Sequence, residues 1–541
     1  MTLSMPMALV AATYGAKIPP AEPTHNDSLD AAVAAAHEQL RTLIATFHGE
    51  PTTPVGTHRF ERDLQAVLQE LGRRLTQGTY NRLASDAATT PSHAAFEREW
   101  YTRVRTSTPQ NVWTLFGQIR VQRFGYRPSS AGEPMRFPVA HQLGLVHGAS
   151  PALVDRVGQW MAEAGATQQR VLARLRAEHG VGWGVEKLRQ VTETLSDDLV
   201  VHQRAAQVER LLAWPTKAEA STGRHTPVLC VGRDGVSMRL RIKKGSLFEM
   251  ASTGTVSVYD RRGQRLGTVD LAHTPEPGQP AMTQSSNDLL REVLNRWTGG
   301  LPRLAYVTDA GDNETRYYEN VLRGMTHPRT HAVLDWVRVV DYYHASERIG
   351  TLAAVLFADS REAASWARKM AKWLLAPGGV NRVLHSAAAW KTQRTLTPPQ
   401  TKEYRRAYDY LRSRMAHMDY ARYRQVGVPQ GSGVTEAGCK TVFTQRLKPS
   451  GMCWTKAGAR TILTLRVILL SGVWEDVYGR LLAARPQPEM QRGQQASAAH
   501  ACEINTPERL HRMQDATYKL VSKIRTSMTY IEDYSLFESA L

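Results

Sequence analysis

The chain has 541 residues, 42% of them hydrophobic, enough for roughly two to four domains and a sizeable core, which excludes a wholly disordered polymer. Lys and Arg total 68 against 50 Asp and Glu, a formal net charge of +18, so an anionic partner is expected, and nucleic acid is the commonest. Cys230, Cys439, Cys453 and Cys502 form no C-x-x-C pair, no apolar run reaches the roughly 18 residues that span a bilayer, and residues 1–20 lack the basic start of a signal peptide. The expectation is a reduced, cytoplasmic protein with no membrane partner and no cysteine framework.

In chain order, residues 1–27 read as a loose arm and the rest of 1–110 as helical. Leu29–Leu40 and Phe60–Gly72 read as helices, and the second carries Leu64, Val67, Leu68 and Leu71 at the spacing of one helical face. Within 111–224, Thr114 to Tyr126 alternates around Gly117 as a short hairpin. Helices at Thr167–Glu178 and Glu186–Leu195 follow, joined by a Gly-rich turn. That pair is either a DNA-reading helix-turn-helix or an ordinary helical hairpin, and the residues favour neither.

From 225 the pattern changes to strands. Pro227–Asp234 and Val236–Ile242 read as two, and Thr255–Tyr259 with Gly267–Leu271 as a third. A helix capped by Asn287, a strand Leu304–Thr308, a helix Tyr317–Met325 and a strand Ala332–Val340 complete the order β-β-β-α-β-α-β. This is how an RNase H-like domain with a mixed five-stranded sheet begins, so 225–344 is its expected first part. Four predicted helices between Ala345 and His417 are too much chain for a loop, so 345–430 reads as an all-helical insertion. Residues 431–483 then supply the remaining helix of the domain and one long apolar helix, Lys456–Leu482. Residues 484–541 read as a linker followed by a basic helix over 506–527.

Three acids stand where phosphate-backbone chemistry needs them. Asp234 is expected at the end of the first strand, Asp309 at the end of the fourth, and Glu436 just inside a helix entered through Gly431-Ser432-Gly433. Neighbouring strands can bring the aspartates together. Two magnesium or manganese ions held by such acids activate the attacking oxygen and stabilise the leaving one. Without ions the acids repel one another, so one carboxyl should titrate high. Asp309 is preferred to Asp312 and Glu314 because it sits on the strand end. Lys440, Arg446 and Lys448 follow Glu436 as candidate phosphate ligands, and Trp454 as a candidate base-stacking residue. Asp341 and His344, beside the last strand, either support the metal site or are a buried, hydrogen-bonded pair. Cys439, Cys453 and His344 have no recognised zinc spacing.

The segments Val231-Gly-Arg-Asp-Gly235, Val307-Thr-Asp309, Asp341-Tyr-Tyr-His344, Gly431-Ser-Gly-Val-Thr-Glu-Ala-Gly-Cys-Lys440 and Arg446-Leu-Lys-Pro-Ser-Gly-Met-Cys-Trp454 run in order across 225–480. They resemble the DDE transposases of bacterial insertion sequences, specifically the ISKra type. Gly117–Leu175 resembles that family's N-terminal part more weakly. The Asp-x-x-His cluster and the helical insertion are similar to Mutator-like transposases. The resemblance implies a magnesium- or manganese-dependent enzyme acting on double-stranded DNA, at the element's terminal inverted repeats and in the target. It also implies at least a homodimer on DNA, Asp234, Asp309 and Glu436 as the catalytic triad, and a protein associated with the bacterial nucleoid when bound. The paired cysteines often found after the tyrosine matched by Tyr126 are replaced here by Arg127-Pro-Ser-Ser, so no structural zinc is expected. Asp309-Ala310-Gly311 also departs from the expected Asp-Gly. The alternatives are a domesticated DNA-binding protein that no longer cuts and a host nuclease or resolvase of the same fold.

Overall fold

A computed structural model describes residues 29–84, 90–96, 99–128 and 134–491. The expected arm over 1–27 and the expected basic helix over 506–527 lie outside the described residues. The fold is mixed α/β, with two separate sheets. The chain divides into two compact units. One is drawn from residues up to Pro151, with 179–181 and those from Pro486 onward. The other is Ala152–Glu178 with Gly182–Arg485.

In the first unit, α1 (Leu29–Gly49) and α2 (Pro54–Asn81) pack on each other. The Thr53 side chain caps α2 by accepting from the Gly56 N–H, and Pro54 opens the helix where its missing N–H is harmless. The helical reading fails after that. Residues 93–114 form β1 (His93–Phe96) and β2 (Glu99–Thr114), paired antiparallel with β3 (Gly117–Pro128). The β-branched residues Thr102, Val104, Thr106, Thr108 and Val112 favour the pleated backbone. The expected hairpin is present but longer, turning at Gly117, whose φ of 102° requires glycine. A helix α3 (Pro138–Gln142) packs on β3. The strand beyond β1, Glu489–Gln491, comes from the expected linker.

The second unit opens with α4 (Pro151–Ala162), α5 (Gln168–His179), α6 (Val185–Leu212) and α7 (Pro215–Ala220). The two helices read from 167–195 are present, but α6 runs much further and buries one face between Leu188 and Leu211. Its sheet is β4 (Val228–Arg241), β5 (Ser246–Tyr259) and β6 (Arg265–His273), then α8 (Pro280–Arg296), β7 (Arg303–Thr308), α9 (Asp312–Tyr317) with a π-helical turn Tyr318–Leu322, and β8 (Trp336–Val340). The strand order is β6-β5-β4-β7-β8, with β4, β5 and β6 antiparallel and β4, β7 and β8 parallel.

Several boundaries differ from expectation. The first two predicted strands are one strand, because Gly235 stays paired with Ser252. The two runs read as a third strand lie in β5 and β6. Asn287 lies inside α8, which starts at Pro280. The long apolar helix breaks into α17 and α18 below, bent by 114° at Gly472, whose φ is 65°.

Five helices follow β8: α10 (Tyr342–Leu356), α11 (Ser360–Leu374), α12 (Gly379–Thr392), α13 (Pro398–Arg414) and α14 (Tyr420–Gln425). They share one core with the sheet, which receives Val228 and Cys230 of β4, whereas Leu229 and Val231 enter the opposite core with α8. Both faces are thus covered, which is why the central strands read as unbroken apolar runs. The chain then forms α15 (Gly433–Gly438), a π-helical turn Cys439–Thr444, α16 (Gln445–Leu447), α17 (Lys456–Leu470) and α18 (Trp474–Ala484). Among the described residues no single helix is long and apolar enough to cross a membrane.

Helix α15 approaches β4 and β5 where Gly232 has no side chain. The Thr435 and Thr255 hydroxyls bond at 2.8 Å there, and a Cβ on Gly232 would overlap Thr435 Oγ1 and stand 3.0 Å from Thr255 Oγ1. Gly232→Ala should therefore destabilise by about 1–3 kcal/mol. The same change in a Thr435→Ala background should cost less, so the two effects should not add. Urea midpoints of the four proteins check this, and strict additivity refutes the close contact.

Candidate active site

Asp234 lies within β4, not at a strand end, three residues beyond the last β4–β7 pair at Val231. The strand continues past it because β5 pairs along its whole length. Asp309 directly follows β7, as expected, and Glu436 is in the first turn of α15. The three come from distant parts of the sequence into one electrostatic neighbourhood. Burial, chiefly, holds the Asp234 carboxyl above the usual carboxylate range. Asp309 and Glu436 push it further, while bonds from the Cys439 thiol and the Gly235 N–H pull it down. Those bonds are 3.1 Å from Cys439 Sγ to Oδ2 and 2.6 Å from Gly235 N to Oδ1. Burial and the neighbouring carboxylates push the Cys439 thiol well up, so it stays protonated and donates.

Asp309 sits on a tight corner. Its Oδ1 accepts from the Gly311 N–H at 3.0 Å, and Ala310 takes a left-handed φ of 59°. An alanine so placed is strained by roughly 1 kcal/mol or more. Two side chains of α13 brace the corner. Tyr410 donates its hydroxyl to the Asp309 carbonyl at 2.6 Å, and Arg414 donates through Nε and Nη2 to the Ala310 carbonyl at 3.2 and 2.9 Å. Nothing in the sequence singles out either residue, since the contact depends on how α13 crosses the sheet.

A fourth acid, Glu314, is buried in the first turn of α9. Gly311 leaves it room, because a Cβ there would stand 2.5 Å from Glu314 Oε2 and 3.5 Å from Asp309 Oδ1. Burial mainly, then Asp309 and Asp234, hold its carboxyl above the usual range, with Arg233 opposing.

Asp341 and His344 separate in role. Asp341 is fully buried and caps α10. Its Oδ1 accepts from Tyr343 N–H at 2.6 Å and His344 N–H at 3.0 Å, and its Oδ2 from Ser432 N–H. With three backbone donors on it, this carboxylate ties β8 to the entry of α15. His344 Nε2 stands 3.6 Å from Glu436 Oε1, and Nδ1 lies 3.1 Å from Glu347. Burial lowers the His344 pKa, but Asp341, Glu347 and Asp309 outweigh it, and the net shift is upward. The Ser432 hydroxyl donates to Glu436 Oε1 at 2.8 Å. The Gly-Ser-Gly-x-x-Glu spacing, an i, i+4 pair on one helix face, held that signal.

Of the expected phosphate and base ligands, Lys440 and Lys448 are exposed. Trp454 is half-buried, and Arg446 is a correction. Arg446 is buried, its Nε donates to the Met161 carbonyl at 2.9 Å, and burial beside Arg466 pulls its pKa down to about 10. Trp454 donates Nε1 to the Leu447 carbonyl at 2.8 Å and lies under the Arg446 guanidinium, 5.2 Å from its ring centre. Both tie the loop after α16 to its surroundings.

Among the described residues no group of three or more His, Cys, Asp or Glu side chains is arranged to hold a metal ion on its own. The donor chemistry nevertheless suits magnesium, which binds through one or two carboxylates and fills its shell with water and substrate phosphates. A repelling group of acids, one of them titrating high, is the setting that a divalent cation relieves. No family model matches the chain, and no curated protein matches it in sequence.

Because Asp234 binds its proton more tightly folded than unfolded, its contribution favours the fold below the unfolded pKa and is lost as pH rises through the folded value. Asp234→Asn should therefore be more stable than wild type at neutral pH in metal-free buffer. The gain should shrink as pH falls toward the ordinary aspartate value of about 3.9. Thermal midpoints across that range test it, and a variant less stable at pH 7 contradicts it.

Proposed function

We propose that the chain is a DNA transposase that binds the ends of its insertion sequence and catalyses metal-dependent strand cleavage and strand transfer. The observation that carries this reading is the convergence of Asp234 in β4, Asp309 after β7 and Glu436 in α15, close enough that Asp309 and Glu436 add to the rise that burial chiefly gives Asp234. The sheet order, three antiparallel strands followed by two parallel ones, supports an RNase H-like catalytic domain. The run α10–α14, lying between β8 and α15, supports a helical insertion in it. The net charge of +18 supports DNA as the partner.

In this reading Asp234, Asp309 and Glu436 would hold two magnesium or manganese ions. When bound, such ions supply an activated attacking oxygen and a stabilised leaving oxygen. The rest of the chemistry is positioning. Ser432 donates to Glu436 Oε1, and His344 stands within ion-pair distance of the same oxygen, so both bear on the orientation of that carboxylate. Asp341 fixes the loop from which α15 starts, and Tyr410 with Arg414 fixes the Asp309 corner. Lys440 and Lys448 are free to meet phosphates of the scissile strand. Concerted cutting of two element ends needs at least two subunits, and residues 111–224 are the proposed end-binding region.

Asp234→Asn, Asp309→Asn and Glu436→Gln should each lower plasmid nicking in Mg²⁺ or Mn²⁺ by about 10³-fold or more, the worth of several kcal/mol of metal stabilisation. DNA affinity should remain. Undiminished nicking by these variants sinks the reading. A strand-transfer product separates a transposase from a nuclease or resolvase, and binding without any nicking by wild type identifies a domesticated protein.

Arg414→Ala touches no DNA in this reading but loosens the Asp309 corner. Nicking should fall by about 10²-fold, the usual effect of a misplacement of about 1 Å. An unchanged rate shows that the corner needs no brace.

A further inference from the structure

Strands β4 and β5 outrun their sheet. Strand β4 pairs with β7 only over Val228–Val231, and β5 pairs with β6 only from Ser252 onward. Beyond those limits Val236–Arg241 and Ser246–Ala251 pair with each other as a two-stranded ribbon. Six residues a strand give it a length of about 20 Å. One edge is pinned, since the Trp454 N–H donates to the Arg239 carbonyl at 3.3 Å and the Arg241 N–H to the Trp454 carbonyl at 2.7 Å. The ribbon is therefore held in place, not a loose loop.

Its side chains are unusual for a solvated hairpin. Phe248 is 67% exposed, Met250 52%, Ile242 48% and Leu247 46%. Cross-strand register puts Arg239 opposite Phe248, Ser237 opposite Met250 and Arg241 opposite Ser246, so one face interleaves cations with large apolar groups. Lys243 and Lys244 occupy the tip, where Gly245 turns with φ 95°. Glu249 is the single acid between Val236 and Ala251.

We infer that this ribbon is a duplex-DNA contact that enters the major groove. A two-stranded ribbon fits that groove, about 12 Å wide. Arg241, Lys243 and Lys244 would meet the phosphates on its walls, and Phe248 and Met250 the base edges and thymine methyls. The charge argues against a second copy of the chain as the occupant, because stacking two such ribbons would bring like charges together. The inference rests on the proposed DNA substrate but concerns a part of the chain that holds none of its catalytic acids.

The test is equilibrium binding of the full chain to a short random-sequence duplex, followed by fluorescence anisotropy across a salt series. Lys243→Ala/Lys244→Ala should reduce the slope of log affinity against log salt by about 1.8, two phosphates at about 0.9 each. Phe248→Ser/Met250→Ser should weaken binding about tenfold at fixed salt with little change of slope. Both pairs are exposed, and unchanged thermal midpoints confirm that the variants fold. Wild-type binding with variants indistinguishable from it overturns the ribbon while leaving the catalytic reading intact. If Asp234→Asn nicks like wild type but the ribbon variants bind weakly, the catalytic reading falls and the ribbon stands. Loss of a wild-type dimer in Phe248→Ser/Met250→Ser, with DNA binding unchanged, overturns the inference in favour of self-association.

Discussion

Helix α15 lies against the sheet at a place where a Cβ on Gly232 would overlap it. Gly232 lets the Thr435 hydroxyl reach Thr255, and that contact holds the turn that carries Glu436 against β4, the strand that carries Asp234 two residues further on. The entry to the helix is fixed just as tightly. The Ser432 N–H is held by the buried Asp341 carboxylate, and the Tyr342 N–H donates to the Gln430 carbonyl at 3.0 Å. One short segment thus joins the middle of β4, the end of β8 and the start of α10. Every other feature of the candidate site is arranged around it.

Such an arrangement is intrinsically unfavourable. Asp234, Asp309, Glu314 and Glu436 crowd a partly buried region, and the Asp234 and Glu314 carboxyls are held above the usual range, chiefly by burial and then by the neighbouring acids. Ala310 adds backbone strain. The offset comes from the cores on both sides of the sheet, which leave the central strands little freedom to move the acids apart. Arg233 contributes from the face opposite Asp234. It is itself buried, bonded to Gln279 and Thr283, and its charge opposes the rise at Glu314. Strain and repulsion kept in place by a rigid surround are characteristic of sites that bind something. The helical block takes part in that surround, since α13 supplies both braces of the Asp309 corner.

What could be read in advance follows from how local each signal is. Asp309 and Glu436 were legible because a strand end and a glycine-flanked helix start are written in neighbouring residues. Asp234 lies near the other two acids, as expected, but inside its strand and not at the strand end. Gly235 looks like a terminator in one dimension and is an ordinary paired residue when β5 runs beside it. Arg446 and Trp454 sit in a basic, aromatic stretch that resembles a DNA-binding surface, yet carbonyls of Met161 and Leu447 absorb their donors. Burial of a side chain depends on long-range packing, and charge or aromatic character alone does not reveal it. The same limit hid Tyr410 and Arg414. The strands of 93–114 were missed for a different reason: the reading carried a helical trend past the point where β-branched residues become dense.

The distribution of charge also bears on how the site could work. The chain carries an excess of 18 positive charges, but four of its acids, Asp234, Asp309, Glu314 and Glu436, gather at the place where, in the proposed reading, a phosphate would react. Without cations that place repels a polyanion. In the proposed reading, recognition and chemistry are therefore carried by different parts of the molecule. Exposed cations such as Lys440, Lys448 and those of the β4–β5 ribbon attract the backbone from outside, where attraction is long-ranged and weakened by salt. In the same reading the acids would act only when divalent ions reverse the local field. In that reading binding would be independent of metal and cutting dependent on it. A surface that held DNA through its catalytic acids could not divide the two steps in this way.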